Sequence, residues 1–78
     1  MRHVKKRSLD LAETIYPHVH TNKFTIIDLR NKGIIPQNAQ VGSTLTDLKN
    51  NKLIESIGVN KKIMMWKFTP GFVRYMEE

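Results

Sequence analysis

The spacing of apolar residues changes near Asn51, and that change restricts the fold more than any other feature. Upstream, apolar residues recur every three or four positions: Leu11 or Ala12, Ile15 and Val19, then Val41, Leu45 and Leu48. The last three lie within about 60° of one another on a wheel of 100° per residue, which makes one helical stripe. Downstream the period drops to two, in Leu53-Ile54-Glu55-Ser56-Ile57 and Ile63-Met64-Met65-Trp66-Lys67-Phe68, around a Gly58-Val59-Asn60-Lys61-Lys62 tip. Two such runs about a Gly, Asn and Lys cluster read as a hairpin. Helices followed by one hairpin define an α+β chain, and 78 residues hold one small domain.

Local signals divide the chain further. Residues 1–7 form a basic arm, with Arg2, Lys5, Lys6 and Arg7 and no acid, ahead of a folded domain over 8–78. A first helix starts at Ser8, with Asp10 and Glu13 in the turn where the helix dipole favours acids, and should end near Tyr16 because Pro17 follows. Thr25 and Asp28 form a capping box for a short second helix that buries Ile26, Ile27 and Leu29 and stops at Gly33. A third helix is predicted over 37–51. Thr69-Pro70-Gly71-Phe72 combines a cap with proline at the first helical position and opens a short terminal helix through Met76.

Composition narrows the function. Thirteen Lys plus Arg oppose seven Asp plus Glu, a net charge of +6 that favours a polyanionic partner. With no cysteine, disulfides, thiolate zinc sites and thiol redox chemistry are excluded. No apolar run is long enough to span a bilayer and no signal-peptide core follows the basic start, so the expected setting is the cytoplasm, the nucleoid or, for a viral chain, the host cytoplasm. Lys, Ile and Asn together make 23 of 78 residues, a bias compatible with an A·T-rich genome, as in many viruses or archaea. His18 and His20 form a H-x-H pair with no third ligand close in sequence, and no phosphate-cradling glycine loop, paired carboxylate or nucleophile and base occurs. Neither enzymatic activity, nor a metal, nor a small-molecule cofactor is expected.

The element order, the join Leu48-Lys49-Asn50-Asn51-Lys52-Leu53-Ile54-Glu55 and the closing stretch Trp66-Lys67-Phe68-Thr69-Pro70-Gly71 resemble the winged helix-turn-helix superfamily over about residues 8–76. The join is similar to the L-x-x-x-x-L-I passage between recognition helix and first wing strand. The closing stretch resembles the aromatic segment that ends the wing. The resemblance implies three helices, a two-stranded β-hairpin wing, a short C-terminal helix, and binding of double-stranded DNA by a small transcriptional regulator.

The residues support the same reading on their own. With Val41, Leu45 and Leu48 turned inward, the opposite face of helix three is small and polar, and Asn38, Gln40, Ser43, Thr46 and Asn50 are the base-reading candidates. A helix lined by short side chains can lie deep in a major groove about 12 Å wide, where Gln and Asn amides match adenine. Gly42 would cost roughly 1 kcal/mol inside a helix, which a close backbone approach would explain. Arg2, Lys5, Lys6, Arg7, Lys23, Lys49, Lys61 and Lys62 are the candidates for phosphates or the minor groove, with Lys61 and Lys62 at the wing tip. Asp47 should pair within the chain, with Lys49 or Arg30. Trp66, Phe68, Phe72, Tyr75 and Met64 are expected in the core, leaving Met65 exposed. The segment 70–78 is a candidate dimer helix, or a lid on the core. The competing classes are a protein-interaction module docking on transcription or replication machinery and a structured-RNA binder.

Overall fold

A computed structural model describes residues 4–78. Its order is α1 (Lys6–Val19), α2 (Ile26–Asn31), α3 (Gly42–Asn50), β1 (Ile54–Asn60), β2 (Ile63–Phe68) and α4 (Pro70–Glu77). The fold of the described residues is therefore α+β, with four helices and one two-stranded antiparallel hairpin. No described helix is long and apolar enough to cross a membrane.

The local signals at α2 and α4 act as their chemistry dictates. The Thr25 hydroxyl accepts from the Asp28 amide (3.1 Å) while the Asp28 carboxylate accepts from the Thr25 amide (3.0 Å), closing the capping box. Gly33, at φ +72°, ends the segment: its amide donates to the Arg30 carbonyl and that of Ile34 to Leu29, the paired bonds of a Schellman motif. Thr69 caps α4 ahead of Pro70, and its hydroxyl also donates to the Lys52 carbonyl (2.8 Å), tying the helix start to the turn before β1.

The first helix departs from expectation at both ends. It starts at Lys6, so Lys6 and Arg7 are helical rather than parts of an arm, with Lys5 as an N-cap that makes no side-chain bond. Arg2 lies outside the described residues. Asp10 and Glu13 fall beyond the first turn, which contains no acid. The helix also continues through Pro17 to Val19, because Ile15, Tyr16 and Val19 are buried together and that burial offsets the missing amide. In α2 only Leu29 is fully buried; Ile26 is half-buried and Ile27 is 41% exposed.

The core joins the two halves of the chain through aromatic rings. Phe68 stacks on Phe72 (4.8 Å between centroids), meets Tyr16 edge-on (5.6 Å) and lies 5.5 Å from Phe24. Phe24 also pairs with Trp66 as an isolated bridge, each amide donating to the other's carbonyl at 2.8 Å. That bridge gives β2 a hydrogen-bonded neighbour on both sides and leaves β1 as the edge strand. Of the predicted core aromatics Phe68 and Phe72 are buried, Trp66 is half-buried and Tyr75 is 45% exposed. The expected order of two methionines is reversed, with Met64 exposed and Met65 half-buried. The face of β2 that holds Phe68 and Trp66 runs past the edge of the core before it reaches Met64, whereas Met65 lies beside Phe24 and Ile27 along the groove next to α2.

Two hydroxyl bonds join α1 and α4: Tyr16 donates to Glu77 (2.8 Å) and Tyr75 to Glu13 (3.0 Å). Each hydrogen bond, with the adjacent carboxylate charge and partial desolvation, raises its tyrosine above the ordinary value of 10.0. Because the folded state holds both protons more tightly than the unfolded chain, this contribution to stability is complete below about pH 10 and is lost as pH rises through the raised folded values. These are the only two tyrosines, so an absorbance titration at tyrosinate wavelengths reads them directly. The native protein should titrate above the denatured protein, and Glu13→Gln with Glu77→Gln should move the native curve down towards it.

Candidate nucleic-acid interface

The third helix begins at Gly42 and not near Gln37, which removes two predicted base readers from its face. Asn38 lies in a turn closed by the Ala39 amide on the Pro36 carbonyl (3.1 Å), and Gln40 lies in the irregular link that follows. Side chains hold this link. Arg30 Nη2 donates to the Ala39 carbonyl (2.9 Å) and Gln37 Nε2 to the Arg30 carbonyl (3.1 Å), bonds that compete with a helical backbone. The cost of Gly42 inside a helix was the signal for this boundary, since at the first position the interior penalty does not apply. No other part of the chain comes within 4 Å of where a side chain at Gly42 would begin, so a close approach to α2 does not account for it.

Within α3 the expected polarity holds. Leu45 and Leu48 are buried and Val41 is half-buried at the N-cap, while Ser43, Thr46, Lys49 and Asn50 are exposed. Thr46 directs its hydroxyl to the Gly42 carbonyl (3.0 Å). Asp47 is half-buried, and its partner is Asn51 rather than Lys49 or Arg30: Asn51 Nδ2 donates to the Asp47 carbonyl (2.8 Å) and to Oδ1 (3.4 Å). Arg30 is thereby a fastening for the loop before α3.

Four of the candidate cations line two grooves. Lys23 and Lys61 line a cavity of about 380 Å³ between the start of α2 and the hairpin tip, over an apolar floor of Phe24, Ile27, Ile63 and Met65. Lys49 and Lys52 line a second, of about 500 Å³, between the end of α3 and β1. Lys5, Lys6 and Arg7 are exposed at the start of α1 and line neither groove. Among the described residues no three His, Cys, Asp or Glu side chains stand close enough to share a metal ion.

Backbone geometry sets three of these lysines apart. Lys52, Lys61 and Lys62 have φ of +63°, +52° and +67°, in the left-handed region that costs an L-residue about 1–2 kcal/mol. Lys52 takes the position after α3 that glycine usually fills, its amide on the Lys49 carbonyl (2.9 Å) and that of Leu53 on Leu48 (3.0 Å). Lys61 and Lys62 form a two-residue hairpin turn with both central φ values positive, where Asn-Gly is the favoured pair. Sequence reasoning marked Lys61 and Lys62 for charge alone and missed Lys52. A signal was present, since a helix stop directly after Asn51 called for a glycine that the chain lacks.

In comparisons with known proteins, no family model, no curated protein and no solved structure matches the chain.

Relief of the strain at Lys52 should be measurable. Lys52→Gly removes the left-handed penalty but adds unfolded-state entropy, leaving about 0.5–1 kcal/mol of net stabilisation. Calorimetry should show Tm higher by roughly 2–8 °C. An unchanged or lower Tm would mean that the Lys52 side chain makes compensating contacts.

Proposed function

We propose that this chain is a small winged helix-turn-helix protein that binds double-stranded DNA, as a transcriptional regulator or genome-associated factor. In this reading α3 enters the major groove and the hairpin is the wing. The observation that carries it is the trio Lys52, Lys61 and Lys62, cations held at left-handed positions where glycine or asparagine would be more stable. Strain kept at charged surface positions is expected where the charge has a use. Their neighbours fit the reading. Ser43, Thr46 and Asn50 offer short polar side chains to base edges, and Lys49, beside Lys52, reaches a phosphate on the flank. Lys23, at the start of α2, adds a cation next to the tip.

A second reading draws on one observation, the exposed Ile27 beside the groove floor of Phe24, Ile63 and Met65, which would suit an adaptor docking on transcription machinery. Salt dependence separates the two. Six to eight phosphate contacts give log K against log salt a slope of roughly −5 to −7 on duplex DNA. A slope near zero, or no duplex binding at about 50 mM salt, would reject the DNA reading, and tighter binding to structured RNA than to duplex would redirect it.

A double substitution tests the link between strain and function. Lys61→Asn with Lys62→Gly installs the favoured turn pair and should raise stability by about 1–2 kcal/mol while removing two cations. Duplex binding should weaken for all sequences alike, with the salt slope shallower by roughly 2. Asn50→Ala should instead alter preference at particular bases and leave the slope unchanged.

A further inference from the structure

The distal hairpin is amphipathic in a way that charge on phosphates does not explain. Pairing at its end runs Asn60 with Ile63, Val59 with Met64 and Gly58 with Met65. Directly paired residues share a face, so Val59 and Met64 stand together on one side, one pair behind the lysine turn. Val59 is 59% exposed and Met64 37%, although Ile63 and Met65, on the other face, are half-buried along the α2 groove. The Ser56 hydroxyl donates to the Met64 sulfur, which holds that side chain on the open face. Between root and tip the ladder skips Ile57, and Gly58 takes φ +138°, a bulge that bends and twists the distal pairs away from the line of the root.

We infer that this open apolar pair is a wedge for the minor groove, and that the protein bends the DNA it binds. The inference rests on the DNA-binding reading above and adds a deformation to it. The occupant is chosen by charge: an apolar pair directly behind Lys61 and Lys62 meets a surface that is anionic at its walls and stackable at its floor, as a minor groove is. Geometry supplies the deformation. Two paired strands lie 4.7–4.9 Å apart before side chains are added, whereas the undistorted minor groove is only about 6 Å wide. A hairpin laid face-down must therefore widen the groove, and Val59 and Met64 then press on a base step while the two lysines reach the flanking phosphates. Apolar side chains inserted in this manner partly unstack a step and kink the duplex by roughly 20–90° towards the major groove.

The experiment uses the full chain with 30-base-pair duplexes carrying a fluorophore pair at their ends, one set with a central TA step and one with a stiff A-tract. Energy transfer reports the bend, and a salt series reports binding. The wild type should shorten the end-to-end distance and prefer the TA duplex by threefold or more, since pyrimidine–purine steps kink readily. Val59→Ser with Met64→Ser changes only exposed side chains; it should keep the wild-type circular dichroism and salt slope, lose no more than tenfold in affinity, and lose both the bend and the TA preference. Lys61→Ala with Lys62→Ala should lose affinity on both duplexes. Binding by the wild type without a change in energy transfer, or an equal bend from the serine variant, would overturn the wedge and leave the DNA reading intact. A wild-type dimer that the serine variant dissolves in sedimentation without DNA would overturn it in favour of a second copy as the occupant. Absence of duplex binding would overturn both readings.

Discussion

Phe68, the last residue of β2, packs against rings from three separate parts of the chain: Tyr16 of α1, Phe24 before α2 and Phe72 of α4. In a domain of this length with no cysteine, such packing takes the place that a disulfide or a metal often fills. Its position decides what the hairpin can do. The root is clamped by Phe68 and by the Phe24–Trp66 bridge, while the strands beyond the skip at Ile57 leave the core. A clamped root and a tip uncovered on its Val59 and Met64 face make an arm that is aimed by the core and open on one side.

The tip and the end of α3 depart from what stability alone would select, as does the end of α1, where His20 takes φ +51°. The ends of α2 and the start of α4 use favourable local chemistry, with a capping box at Thr25, Gly33 at a left-handed stop, and Thr69 and Pro70 opening α4. Lys52, Lys61 and Lys62 break the rule that Gly33 keeps. Because the same backbone demand is met by glycine at the end of α2 and by lysine at the end of α3, it is the choice of residue, rather than the conformation, that asks for an explanation. In the proposed function a use for cations at these positions supplies it.

The parts of the fold that could be read from the sequence were those controlled by neighbours in the chain. The caps at Thr25 and Thr69, the stop at Gly33 and the switch from helix to hairpin period near Asn51 all rest on contacts a few residues apart. Features set by distant partners could not be read in that way. Pro17 sits inside α1 because Val19 is buried by other elements, and α3 starts late because Arg30 and Gln37 hold the preceding loop. The reversal of Met64 and Met65 has a similar origin, since strand alternation identifies two faces but not the point at which the core ends. Of the candidate site, Ser43, Thr46, Asn50, Lys49, Lys61 and Lys62 keep exposed positions on α3 or the hairpin turn. Asn38 and Gln40 were misplaced together with the helix start, and Lys52 was overlooked although a helix ending at Asn51 called for a glycine there.

The central claim of the proposed function is that α3 and the hairpin, rather than α4, meet duplex DNA. Amide chemical-shift mapping of the ¹⁵N-labelled chain with a mixed-sequence duplex in low salt tests this most directly. The account predicts shifts at Ser43, Thr46, Lys49, Asn50 and Lys52 and along Val59–Met64, with the amides of Val73–Glu77 unmoved. Shifts concentrated on α4 and the adjoining Thr21, Lys67 and Arg74, with the hairpin tip unmoved, would contradict it.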